Sequence, residues 1–138
     1  SFTKGGNCWT LPDPDAYTVS LDLDERKYRL KEVLRKTGDS LLYVYDFGDD
    51  WRHRIEIEGV FDAEPQREYP RFVDGERRAP PEDVGGLGGY EEFLQAIGDP
   101  SHEQHEAMWQ WCGGPFDPKG FDINSANRAI REWLSQRP

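Results

Sequence analysis

Hydrophobic and polar positions alternate most cleanly in two stretches near the middle of the chain, LLYVYDF (41–47) and WRHRIEIEGVF (51–61). A period of two marks a β-strand with one covered face. Gly48-Asp49 between them suits a type II′ turn, which takes glycine first, so the pattern predicts a β-hairpin over about 41–61. In that register Asp46 stands opposite Trp51, Val44 opposite His53 and Leu42 opposite Ile55, all on one face. Tyr43, Tyr45, Arg52, Arg54 and Glu56 then occupy the other. A three-residue loop would shift the register by one and dissolve this arrangement.

The flanking segments are read in the same way. Residues 1–16 are rich in Gly, Pro and Asp and predict an irregular lead-in, and YTVSLDL (17–23) predicts one strand. Tyr28, Leu30, Val33 and Leu34 fall near helical spacing, which places a short helix within 25–36, stopped by Gly38. Residues 62–89 carry many prolines and glycines and predict a long loop, a length that is uncommon in compact domains and often functional. Three helices complete the pattern. YEEFLQAI (90–97) ends at Gly98, SHEQHEAMWQWC (101–112) follows Asp99-Pro100 as N-cap and first turn, and a last helix starts from Asn124 as N-cap. That last helix should bury Ala126, Ala129, Ile130, Trp133 and Leu134. The elements add up to an α+β fold, a small mixed sheet with a central hairpin and C-terminal helices.

Composition narrows the function classes. A chain of 138 residues suits one domain, and seven Phe, six Tyr and five Trp predict an aromatic-rich core. The net charge of −10 disfavours nucleic acid as a partner, because a non-specific binder needs a basic surface to displace counterions. Arg71 with Arg77 and Arg78 forms a local basic stretch, read as part of a solvated loop. Cys8 and Cys112 have neither a CxxC partner nor a repeated spacing, which indicates two reduced thiols rather than a zinc knuckle or a disulfide. No apolar run reaches the length of a membrane span, so no membrane partner is expected and a cytoplasmic location is the simplest reading.

Candidate chemistry centres on YDFGDDW (45–51). Its Asp-Phe-Gly tripeptide is not that of a kinase, since the glycine loop, strand lysine and catalytic His-Arg-Asp loop are all missing. Asp46 beside His53 would be an orienting carboxylate–imidazole pair, and Asp49, Asp50, Glu82 and Asp83 could add ligands for a divalent metal, with Asp46, Asp49 and His53 as its first candidates. The structural alternative has Asp46 accepting backbone N–H groups around the turn while His53 packs within its face. GGLGGYEE (85–92) lacks the Lys-Ser/Thr of a phosphate loop, and its glycines suit a tight turn and close packing. His102 and His105 share a helix without an HExxH pattern and read as a solvated polar face. No GxSxG or local cysteine signature supports a nucleophile. Trp9 and Trp51, near loops, could line a pocket.

The stretch from LLYVYDFGDDWRHRIEIE through YPRFVDGERRAPPEDVGGLGGYEEFLQAIGDP to WCGGPFDPKGFDINSANRAI resembles the plasmid pRiA4b ORF-3-like family, whose members include passenger proteins of a bacterial insertion element. The resemblance spans about residues 40–131. It implies a roll-like α+β domain of bacteria and archaea, often carried on mobile elements. The family's motif positions fall on Tyr45, Asp46, Phe47, Gly48, Asp49, Trp51 and His53, then on Pro80, Pro81, Glu82, Asp83, Gly85, Gly86, Gly89 and Tyr90, and last on Phe116, Asp117 and Pro118. Ala79 stands where the family often has Cys, so a thiol role there is absent. The resemblance also implies a single domain over 1–138 that lacks the N-terminal strand and helix usual in the family.

Three functions follow as expectations. One is a non-enzymatic module binding a protein partner or small ligand through Asp46, Asp49, Trp51, His53, Glu82, Asp83 and Tyr90, in a groove between the hairpin and the 79–90 loop. Another is a metal-dependent hydrolase acting on phosphoesters through the same carboxylates and His53. The last is an accessory factor in DNA transposition or recombination, which rests on the mobile-element association alone.

Overall fold

The computed structural model describes residues 1–11 and 22–136. It separates into two compact units, Ser1–Asp62 and Ala63–Pro138, each described by itself. The fold is α+β, with the strands in the first unit and the longer helices in the second.

The first unit is a five-stranded mixed sheet of β1 (Phe2–Lys4), β2 (Asn7–Thr10), β3 (Leu23–Asp24), β4 (Ser40–Tyr45) and β5 (Trp51–Glu56), in the order β3-β2-β1-β4-β5. β2 and β3 run parallel and the other pairs antiparallel. The irregular lead-in expected for the first residues is therefore corrected: β1 and β2 form a tight hairpin with Lys4 opposite Asn7. Gly5 and Gly6 both have positive φ (56° and 82°), the conformation that a two-residue hairpin turn of the right twist requires and that glycine adopts at least cost. The strand expected at 17–23 falls mostly outside the described residues, and β3 holds its last position, Leu23.

The helix expected within 25–36 forms in two short pieces. Asp24 caps a 3₁₀ turn over Glu25–Lys27, its carboxylate accepting the Arg26 N–H at 3.1 Å, and α1 (Leu30–Val33) follows after extended backbone at Tyr28 and Arg29. Neither piece is long enough for an independent helix, so tertiary packing must hold it. Direct strand partners align Leu23, Trp9, Phe2, Tyr43 and His53 in one row across the sheet. Trp9 and Leu41 are buried on this face, Leu34 is buried just after α1, and the Tyr28 ring meets Trp9 edge-on at 6.1 Å. Lys4 Nζ donates to the Val33 carbonyl at 2.6 Å and pairs with Asp39 at 3.3 Å. Asp39 also accepts the Arg35 and Lys36 N–H groups; the Arg35 bond is the main reason its carboxyl titrates below the ordinary range, and Lys4 adds to it.

The second unit holds α2 (Gly86–Gly98), α3 (His105–Trp111) and α4 (Ile123–Ser135), preceded by the long loop that the sequence predicts. Phe93 and Ala96 of α2 are buried. Around Phe93 gather Phe116 at 5.0 Å, Trp111 at 5.9 Å and Tyr90 at 6.3 Å between ring centroids, the aromatic core that the composition foretold. Burying one such ring stabilises by roughly 1.5–3 kcal/mol.

Three helix starts differ from expectation. α2 begins at Gly86 rather than Tyr90, so the last four residues of the expected 62–89 loop form its first turn. Asp99 accepts the N–H and hydroxyl of Ser101 at 2.9 and 2.7 Å, so Asp99-Pro100 opens a turn and α3 begins only at His105. α4 is capped by Asp122 rather than Asn124, because its carboxylate reaches both the Asn124 N–H at 2.9 Å and the Ser125 hydroxyl at 2.7 Å. The face expected to be buried on α4 is only partly so, with Trp133 at 51% exposure.

Candidate functional site

The hairpin forms, but one register away from the expected one. Tyr45 faces Trp51, Tyr43 faces His53 and Leu41 faces Ile55, while Val44 and Leu42 stand opposite Arg52 and Arg54. The cause lies in the connection, which is the five residues 46–50 rather than a two-residue turn. Asp46 and Asp50 both adopt left-handed backbone (φ 52° and 53°), and the Asp50 N–H closes the loop on the Asp46 carbonyl at 2.7 Å. Aspartate tolerates this region because its carboxylate bonds nearby backbone. Here Asp46 Oδ1 accepts the Gly48 N–H at 2.9 Å and the Asp49 N–H at 3.3 Å.

The shift rearranges the proposed chemistry. Asp46 belongs to the loop rather than to a face shared with His53, and its carboxylate serves the backbone. Trp51 and His53 do share a face, in company with Tyr43 and Tyr45. Phe2 stacks on Tyr43 at 4.6 Å and Tyr43 lies 5.7 Å from the exposed His53 ring, so this end of the sheet row is a run of π-faces. Asp49 is half-buried in the loop, and Asp50 pairs with Arg52 at 2.8 Å.

Glu82, Asp83 and Tyr90 belong to the second unit. Glu82 is exposed. Asp83 has left-handed backbone (φ 57°) and borders a cleft of about 230 Å³ with Val84, Gly89, Phe93, Met108 and Trp111. Tyr90 packs between Phe93 and Phe116, and Arg78 covers the Phe116 ring at 4.5 Å from its centroid. Gly89 has the close-packing role expected of it, whereas a Cβ on Gly88 would meet open space. A Cβ on Gly89 would stand 1.9 Å from the Val84 carbonyl oxygen, a separation that no side chain can occupy without moving the backbone. His105 Nδ1 lies 2.9 Å from the Ala96 carbonyl, and His102 Nδ1 accepts the Gln104 N–H at 3.1 Å. Among the described residues, no group of three His, Cys, Asp or Glu stands together as a metal site would require.

A different site emerges within the second unit, between residues 66–71 and one face of α4. This cleft of about 900 Å³ is bordered by Arg67, Glu68, Tyr69 and Arg71 from the loop and by Asn124, Arg128 and Arg131 from the helix. Asn127 builds its wall: the side-chain amide accepts the Phe72 N–H at 2.8 Å and donates to the Phe72 carbonyl at 3.1 Å, holding the loop to the helix as a strand partner would. Phe72 also meets Phe121 edge-on at 6.0 Å. Arg67 pairs with Glu64 at 2.7 Å and Arg128 lies in the field of Asp122, whereas Arg71 and Arg131 have no anionic partner among the described residues. The spacing of 124, 127, 128 and 131 on one helical face is legible in sequence. Its meeting with Arg71 is not, since that depends on how the loop docks.

A model of the plasmid pRiA4b ORF-3-like protein family matches residues 1–125. The chain belongs to this family. The match begins with the β1–β2 hairpin and so reaches further toward the N-terminus than the 40–131 stretch that carries the resemblance. An uncharacterised protein, y4hQ, of Sinorhizobium fredii is 40% identical over 125 residues, covering 89% of this chain and 64% of y4hQ. The crystal structure of MM3350, a protein of unknown function from Methanosarcina mazei Go1, superposes with a TM-score of 0.67 at 37% identity, covering 75% of this chain and 58% of that one. The chain thus spans somewhat less than two thirds of the length of either relative. Among the described residues, no helix is long and apolar enough to cross a membrane.

Proposed function

We propose that this chain is a non-enzymatic ligand-binding module of the pRiA4b ORF-3-like family, with its ligand seat in the arginine-bordered cleft of the second unit. The observation that carries this reading is the meeting of Arg71 and Arg131 at one concave surface, where neither forms an ion pair among the described residues although Glu68 borders the same cleft. Arginine stays charged at any physiological pH, and its planar fork of donors matches the oxygens of phosphate or carboxylate. A cleft this size falls within the usual range for small ligands, about 300–1,000 Å³. The net charge of −10 does not forbid such a ligand, because salt screens distant exposed charges beyond about 8 Å. It does weigh against a duplex, which would meet the whole acidic surface, and hence against a DNA-accessory role.

The hydrolase alternative is weakened by the hairpin register, since it relied on Asp46 and His53 sharing a face. A protein-partner reading keeps one supporting observation, the aromatic row that ends at Tyr43 and His53. In that reading Trp51 and His53 of the hairpin are the candidate contacts within the first unit.

Calorimetric titration with pyrophosphate at about 0.15 M ionic strength, where the distant acidic surface is screened, tests the primary reading. A saturable single site is expected, weakened by about tenfold for each of Arg71→Gln and Arg131→Gln, a loss near 1.4 kcal/mol apiece. No heat of binding, or binding indifferent to both substitutions, would contradict it.

A further inference from the structure

The cleft is much larger than one phosphate requires, and its border is not uniformly cationic. Arg71, Arg128 and Arg131 supply three guanidinium groups and Glu68 one carboxylate, whereas Tyr69 presents a ring at 51% exposure, followed by Pro70. The Tyr69 hydroxyl accepts the Glu64 N–H at 3.3 Å, which fixes the phenol end and leaves the ring as a flat wall. The Asn124 side-chain amide, with both a donor and an acceptor, stands on the same border. A simple anion would use the cations and leave the ring and the amide idle.

Resting on the reading of the cleft as an anion-binding seat, we infer that its ligand is a nucleoside phosphate, with the phosphates on Arg71, Arg128 and Arg131 and the base against the Tyr69 ring. Every base has a π-face, so stacking on Tyr69 favours nucleotides as a class without selecting one base. Guanidinium forks bind terminal phosphates bidentately, and the three of them suit a ligand carrying about two to three negative charges. The Asn124 amide provides hydrogen bonding for a base edge or a ribose hydroxyl.

The test is a set of calorimetric titrations on the full chain with pyrophosphate, adenosine, adenosine and cytidine diphosphates, and a short single-stranded DNA oligonucleotide. Both diphosphates should bind at least about tenfold tighter than pyrophosphate, the increment expected of one stacked base, and adenosine alone should bind far more weakly. Tyr69→Ala should erase the advantage of the diphosphates over pyrophosphate, lowering diphosphate affinity at least about tenfold more than pyrophosphate affinity, and Tyr69→Phe should keep that advantage. Unchanged melting temperatures would show that both variants are folded. Equal affinity for pyrophosphate and the diphosphates would overturn the nucleotide assignment while leaving the anion seat intact. Loss of all binding, pyrophosphate included, would overturn both. An oligonucleotide that outcompetes the mononucleotides would overturn the inference in favour of a polymer.

Discussion

The hairpin loop 46–50 and the cleft between 66–71 and α4 are both polar and charged, and they use their charges in opposite ways. In the loop, the Asp46 carboxylate is turned onto the N–H groups of Gly48 and Asp49, and Asp50 is paired with Arg52. In the cleft, the holding together is done by a neutral amide, Asn127, and Arg71 and Arg131 at the border form no ion pair among the described residues. The contrast shows why a motif-rich stretch need not be a site. Asp46 and Asp50 suit this loop because it needs side chains that tolerate left-handed backbone and satisfy it. A surface prepared for a ligand keeps charges that its own fold does not satisfy.

The largest expected effect separates the cleft from its support. Phe93→Ala removes the centre of the aromatic cluster in the second unit and should cost about 3–5 kcal/mol in a denaturant titration. The near-ultraviolet aromatic dichroism should fall with it. Next, Asn127→Ala deletes both bonds that hold Phe72, with an expected loss of about 1–3 kcal/mol. Pyrophosphate affinity should drop in this variant although no cation has been removed. A full retention of affinity would mean that the clamp does not shape the cleft.

Smaller effects probe the loop. Asp46→Ala should destabilise by about 1 kcal/mol, and Asp46→Asn by much less, because asparagine also adopts left-handed backbone and keeps an accepting oxygen. Neither should alter anion binding. An Asp46→Ala variant that lost pyrophosphate binding would erase the distinction between the two regions.

The smallest effect is a pH dependence. The Ser125 hydroxyl and the Asn124 N–H hold the Asp122 carboxyl below the ordinary carboxylate range. Asp99 is lowered in the same sense by the Ser101 hydroxyl and N–H. A lowered pKa in the folded state means that these caps stabilise fully above the unfolded carboxylate pKa, near 3.9 for aspartate, and lose that stabilisation as the pH falls through the folded values. Melting temperatures measured from neutral pH down to about pH 3 should therefore decline in the acid limb, and Asp122→Asn should flatten part of that decline.

Much of this architecture was legible in the chain. Alternation over 41–61 located β4 and β5, helical spacing located α2, α3 and α4 without their first residues, and the glycines of 85–89 signalled the close approach of Gly89 to Val84. The first hairpin was missed although Gly5-Gly6 is itself a turn signal, because its strands are too short to show a period. The hairpin register was missed by one residue because an aspartate-rich connection can adopt left-handed backbone as readily as Gly48 can turn. That single residue separates Asp46 from His53. The cleft was invisible for another reason: Arg71 and Arg131 are sixty positions apart and meet only through the amide clamp on Phe72.

The most direct test is a ¹H–¹⁵N nuclear magnetic resonance titration with pyrophosphate, following the side-chain Nε–H signals of the arginines and the backbone amides of residues 46–50. Saturable shifts are expected at Arg71, Arg128 and Arg131 and none at Gly48 or Asp49. Shifts centred on the hairpin loop, with the cleft arginines unmoved, would contradict an anion seat in the cleft.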